Sequence, residues 1–443
     1  MGAIKQADSR PLNLHLPQDH TDAPPVILAM AFRPFFLLAA CWALLAVTHW
    51  LGQLQGWWSG SRLLPATLWH AHEMLFGFAA LVAAGFLLTA AQNWTGRPGL
   101  RGWPLLLSCI CWLGARLSAL LLATDTGLLI ALVCQLLWWL LVLAALVKQL
   151  VPARSRQNYL FLPLLLLMAT LNATVLWLSH QDTALASRLL QSMILLFCLL
   201  MSVIGGRVIP FFTARSTTTP QPRTPRLDRA LLCISSAGIA VYLSNTLAGL
   251  LPTPGAAILL ASLLLTSAGL LHLLRWRYWY NCFIWQHPLL WSLHGAYLAM
   301  ALGLCWLGLN MLTPGLQLWQ SDAAAAANQL TGLLHRSSHE DLLHLIAISA
   351  MAGMMLSMMA RVSLGHTGRP LQTTRPLAVA FGLLLLAGVI RSLANSNTVL
   401  PTHWFTPPNC WSASAVLWLL AFGIFIWFYL PILCQPRIDG RPG

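Results

Sequence analysis

Acidic side chains are nearly missing from this sequence. Aspartate and glutamate number 11 in 443 residues, and all charged types together make up 8%. A soluble domain carries about 25% charged residues, so this chain cannot cover a water-facing surface. The shortage also argues against a hard-metal cage, which needs carboxylates. Ten cysteines are present, but none forms a Cys-x-x-Cys pair, which removes the usual zinc and thiol-redox signatures. Most lie in apolar runs, and Cys109 and Cys111 would point to nearly opposite faces of a helix. They read as small apolar fillers. The first 26 residues hold four prolines and no apolar core, so no cleaved signal peptide is expected there. A basic patch is lacking too. The formal charge is +14, but the basic residues sit singly in short loops. That is a topology signal, not a face for nucleic acid.

What the chain has in quantity is hydrocarbon: 58% of residues are hydrophobic and the mean hydropathy is +0.70. A membrane-crossing helix needs roughly 20 apolar residues. Twelve such runs are readable, at 27–50, 68–92, 103–123, 127–147, 158–179, 188–212, 229–250, 255–274, 286–309, 340–360, 376–394 and 411–433. The expected fold is an all-α polytopic membrane protein. A polar tail at 1–26, one transmembrane domain at 27–434 and a tail at 435–443 complete it. Loop charges agree with an even count. With a cytoplasmic N-terminus, 19 of the 25 basic residues fall in the tails and the inner loops. Only Arg62, Arg188, Arg336 and Arg391 lie outside, while Arg33 and Arg116 lie within spans. This split places both termini in the cytoplasm.

One stretch draws the chemistry together, Trp69 to Pro98. It opens on His70, His72 and Glu73, and it closes on Thr95-Gly96-Arg97-Pro98. Ionisable groups inside a membrane cost energy and mark function. Imidazole is the commonest protein ligand for redox metals. Glu73 is the one acid clearly inside a span, and Arg116 on the next span, at similar depth, is its natural partner; a haem propionate is the competing partner for Arg116. His70 and His72 would stand about 200° apart on a regular helix. Either the chain is extended at His70 or the two histidines serve different sites. His344 lies about one turn into the tenth span, at the depth of His72. His294 lies eight residues into the ninth, about 12 Å at 1.5 Å per residue, and is a candidate ligand or pore group. His49, His180, His272, His366 and His403 fall at span ends or in loops and read as ordinary polar groups. Met351, Met354, Met355, Met358 and Met359 read as core packing. In the long loop before the tenth span, Asp322–Asn328 has high helix propensity. His335 and His339 share one helical face there.

A faint repeat is visible. Thr-Gly-Arg-Pro occurs at 95–98 and at 367–370, and His72 and His344 each precede their copy by 23 residues. Two helices of the same direction could thus oppose their histidines across one cofactor.

Several segments resemble the NnrS family: Phe32–Phe36 (FRPFF), Trp69–Gly77 (WHAHEMLFG), Ala84–Thr89 (AGFLLT) and Asn93–Gly96 (NWTG). Further on, Gly206–Phe212 (GRVIPFF), Met359–Arg369 (MARVSLGHTGR) and Pro436–Gly440 (PRIDG) fit as well. The resemblance covers nearly the whole chain. It implies a twelve-span bacterial inner-membrane protein with haem and copper, linked to nitric oxide and nitrosative stress, with nitric oxide or iron-nitrosyl species as partners besides the lipid bilayer. The candidate metal ligands are then His72 and His344 first, with His70 and His294 next, and Glu73 and Arg116 are the cofactor-binding residues. Next to His344 the chain departs from the family pattern: Leu345-Ile346-Ala347 carries no threonine, so no hydroxyl supports the histidine from that side. A twelve-span carrier is the alternative, and Gly205-Gly206 with Pro210 is its best broken-helix signal. A binuclear oxidase-type centre is disfavoured, because the late-helix His-x-His and adjacent His-His of such sites are absent.

Overall fold

The computed structural model describes residues 24–59, 63–122, 124–247, 254–319, 339–394 and 406–440, and no strand occurs among them. Among the described residues twelve helices are long and apolar enough to cross a membrane: α1 Phe32–Leu54, α2 Ala66–Thr95, α3 Gly102–Leu121, α4 Asp125–Leu150, α5 Arg156–Leu178 and α6 Thr183–Thr217, then α7 Pro225–Thr246, α8 Gly255–Trp279, α9 Pro288–Leu312, α10 His339–His366, α11 Arg375–Ser392 and α12 Pro407–Cys434. They bear out the all-α polytopic reading, helix for run. The helices differ from the apolar runs by six residues at most; α8 and α10 continue past the C-terminal ends of theirs. Arginine allows this, since its charge finds a partner at the helix end. Arg275 pairs with Asp228, and Arg361 lies 3.7 Å over the Phe212 ring. The segment Asp322–Asn328, together with His335, Arg62, Arg336 and His403, lies outside the described residues, as do Lys5, Arg10 and Arg441.

Burial shows which helices are central. In their most apolar stretch, 83% of α2 and 78% of α10 is buried, against 28–61% in the other ten. The outer helices carry the unburied leucines and valines, such as Leu140, Leu166, Leu263 and Val379, which suits contact with lipid. Chain neighbours pack side by side, and α12 returns onto α1. Arg33 fastens that closure by donating from Nη1 to the Leu433 and Gln435 carbonyls, each at 2.8 Å. These carbonyls end α12 and have no helical donors of their own. The five methionines of α10 are all buried in the core, as expected.

The faint repeat is a structural one. In α2 the winding loosens to a π-helix at Glu73–Ala79, directly after His72. In α10 it loosens at Leu345–Ala352, directly after His344. Both helices then regain α geometry and end at the Thr-Gly-Arg-Pro turn, where Gly96 (φ 66°) and Gly368 (φ 71°) take the left-handed conformation. A side chain would be strained at either position. The two central helices touch through Ala80–Thr95 and Gly353–His366.

The carrier signal finds no structural counterpart. Helix α6 runs unbroken from Thr183 to Thr217, with Pro210 inside it. The irregular windings fall in α2 and α10 instead.

Candidate functional site

The π-turn of α2 is the starting point. Widening a helix by one residue leaves carbonyls without their usual donors. Two side chains of α3 supply them. Trp112 Nε1 donates to the Gly77 carbonyl at 3.1 Å, and Arg116 Nη1 to the Phe76 carbonyl at 3.1 Å. Arg116 Nη2 also donates to Gln135 Oε1 of α4 at 2.5 Å. Its Nε lies 2.9 Å from Glu73 Oε2, so the ion pair expected from the sequence is present, with both partners buried. Trp42 Nε1 of α1 donates to the same carboxylate oxygen at 2.9 Å. Gly77 permits this meeting. A Cβ there would stand 2.5 Å from Trp42 Nε1 and 2.7 Å from Glu73 Oε2.

His72 Nδ1 lies 2.9 Å from Glu73 Oε1. A carboxylate only accepts, so the proton is on Nδ1 and the Nε2 lone pair is left for a second partner. That partner is the Asn172 amide of α5, 3.0 Å from Nε2. A carboxylate bonded to one imidazole nitrogen is the arrangement that orients histidine toward a metal at the other. Here Asn172 holds that place, and its own Oδ1 is buried without a partner.

His70 belongs to a regular α-helical turn, Ala66–His72, which removes the extended alternative. It faces a different neighbour from His72. Its ring stacks on Trp50 of α1 at 4.5 Å and 15°, and its Nδ1 is buried with no partner. His70 and His344 are within electrostatic reach of each other, and Arg391 acts on both. His344 Nδ1 donates to the Glu340 carbonyl at 2.7 Å. That bond supplies the orientation that no threonine provides, and it leaves the Nε2 lone pair open. Close by, Asp341 is fully buried and paired with Arg391 of α11 at 2.5 Å. This second acid was missed in the sequence because it lies at the edge of its apolar run.

His294 stands apart, in the first turns of α9. Its Nε2 is 2.9 Å from Thr213 Oγ1 of α6. The Thr213 hydroxyl proton is spent on the Ile209 carbonyl at 2.8 Å, so His294 is the donor in this contact. The bare lone pair is then on Nδ1, which is buried and unpartnered. His339 stacks on Tyr242 and lies 3.0 Å from its hydroxyl. His272, expected at a span end, lies well inside α8.

The four candidate histidines thus do not converge on one ion. His72 is tied to Glu73, His70 neighbours His344, and His294 is separate. Among the described residues no group of three or more His, Cys, Asp and Glu side chains is set to hold a metal. Single or paired imidazoles would suit haem iron or copper(I) as ligands. The unpartnered lone pairs of His344 and His294 meet that requirement most directly. A family profile described as "NnrS protein" matches residues 26–437. No curated protein matches the chain.

Proposed function

The chain belongs to the NnrS family, a membership that makes it a membrane protein of the nitric oxide response, and from that premise we propose that it binds haem and copper through imidazoles of its central helices. The outer-end ligands in this reading are His70 and His344, with His72 as the further candidate beside them. His294 serves a second, separate cofactor. Glu73 and Arg116 orient His72 and hold the π-turn, and Arg116 keeps the propionate role only where a bound haem draws it from Glu73. When bound, haem iron or copper would supply an open coordination position for nitric oxide or an iron-nitrosyl species. The protein's own part is to orient His72, His294 and His344 by a hydrogen bond at one ring nitrogen and His70 by stacking on Trp50.

The observation that carries this reading is the fixed tautomer of His344. Its Nδ1 proton is engaged by the Glu340 carbonyl, which leaves the Nε2 lone pair free, and His70 lies within electrostatic reach of the ring. The charge split supports an inner-membrane placement with both termini in the cytoplasm. An optical spectrum and metal analysis of the purified full chain test the proposal. A Soret band with stoichiometric copper is expected. A colourless, copper-free protein from cells supplied with both would overturn it.

A further inference from the structure

One buried cation is left without an anion. Four arginines are buried among the described residues: Arg33, Arg116, Arg275 and Arg361. Three of them reach protein acceptors. Arg33 donates to the carbonyls that end α12, and Arg116 meets Glu73 and Gln135. Arg275 pairs with Asp228 and donates to the Ser202 carbonyl at 3.0 Å. Arg361, near the C-terminal end of α10 and 6% exposed, differs. Its Nε is buried without a partner, and its other N–H groups have no protein acceptor either. It lies instead on the Phe212 ring of α6, with its guanidinium carbon 3.7 Å from the ring centre.

A ring face attracts a cation, but it does not take up the hydrogen bonds. At 3.7 Å the guanidinium plane must lie against the ring, so its N–H bonds run along the ring and not into it. The charged neighbour makes the balance worse. Arg215, three residues beyond Phe212 on α6, is a second cation within electrostatic reach of Arg361. It is exposed and has no hydrogen bond of its own. The charge split assigns this end of both helices to the cytoplasm. Among the described residues the acids at that end are already taken: Asp228 by Arg275, and Asp439 by Arg437 at 2.6 Å. The last turns of α6 and α10 favour a positive charge, yet Arg361 bonds none of their carbonyls. A lone buried charge is expensive, and an anion between the two cations would remove that cost.

We propose that Arg361 and Arg215 bind one small oxyanion, of the carboxylate, nitrite or phosphate kind, between the C-terminal ends of α6 and α10. A guanidinium fork meets two oxygens of such an ion at once, and Phe212 fixes the plane of the fork. Arg215 adds the second charge on the exposed side. A lipid phosphate is disfavoured, because α10 is one of the two most buried helices and Arg361 is covered by protein. The inference stands apart from the histidine–metal reading, since neither arginine is a candidate there.

Isothermal titration of the full chain in detergent, at constant ionic strength, tests it with formate, nitrite and inorganic phosphate as probes. Saturable binding of at least one of them, one ion per chain, is expected. Arg361→Gln should weaken it about tenfold or more, and Arg215→Gln by less. Arg226→Gln, which removes an exposed arginine of α7, should leave it unchanged. If Arg361→Gln does not fold, Arg361→Lys keeps the charge, loses the fork and should also weaken binding. No saturable binding of any probe, or binding unchanged in the Arg361 variants, would overturn the proposal. An anionic phospholipid that co-purifies, blocks the probes and is lost in Arg361→Gln would overturn it in favour of a lipid. Loss of haem in Arg361→Gln, with no probe bound by haem-free protein, would give the arginine to a propionate instead.

Discussion

Glu73 is where the geometry of the α2 π-turn meets: His72, Trp42 and Arg116 all reach its carboxylate from three different positions. Breaking a buried ion pair from one side costs about 3–5 kcal/mol, because the other charge is stranded. Glu73→Gln and Arg116→Gln should each lower the yield of folded protein by that order, and the double variant should recover part of the loss. Strictly additive losses in a thermal-melting cycle would contradict the coupling. This pair was legible in the sequence because one acid and one arginine stood alone in neighbouring apolar runs. Its neutral partners were not. Trp42, Gln135 and Asn172 carry no spacing signal, and indoles and amides are unremarkable in membrane helices. Asp341 and Arg391 escaped for the opposite reason: charges at the edges of runs look like loop residues.

At the scale of elements, the twelve helices follow from the apolar runs, since lipid leaves the backbone no other way to satisfy its hydrogen bonds. The π-turns were not readable, because one extra residue in a turn leaves composition unchanged. They decide where the histidines face. Each residue turns an α-helix by about 100°. Deleting Met74 from the π-turn should restore regular winding and rotate His70 and His72 against the rest of α2. The expected result is a monodisperse protein with reduced haem or copper. Full retention of both would show that the π-turn does not set the ligand geometry. Gly77→Ala should act on the same turn by separating Trp42 from Glu73, with a loss of melting temperature as its readout.

For the whole molecule, the alternation of basic loops sets the expected orientation. Reporter fusions after Arg97, Arg154 and Arg223 should all report cytoplasm, and a periplasmic signal at any of them would contradict the twelve-span register. The central placement of α2 and α10 was hinted at by the repeated Thr-Gly-Arg-Pro turn, and it needed the packing to become visible. That His344 comes within electrostatic reach of His70 also needed it, because the direction each histidine takes depends on the winding of its helix. The account rests most heavily on imidazoles of these central helices and of α9 as the cofactor ligands. Its most direct test is haem and copper per protein in His70→Ala, His72→Ala, His294→Ala and His344→Ala, using variants that stay monodisperse. Loss of one cofactor in His344→Ala and of the other in His294→Ala is the predicted result; full haem and full copper in all four would contradict it.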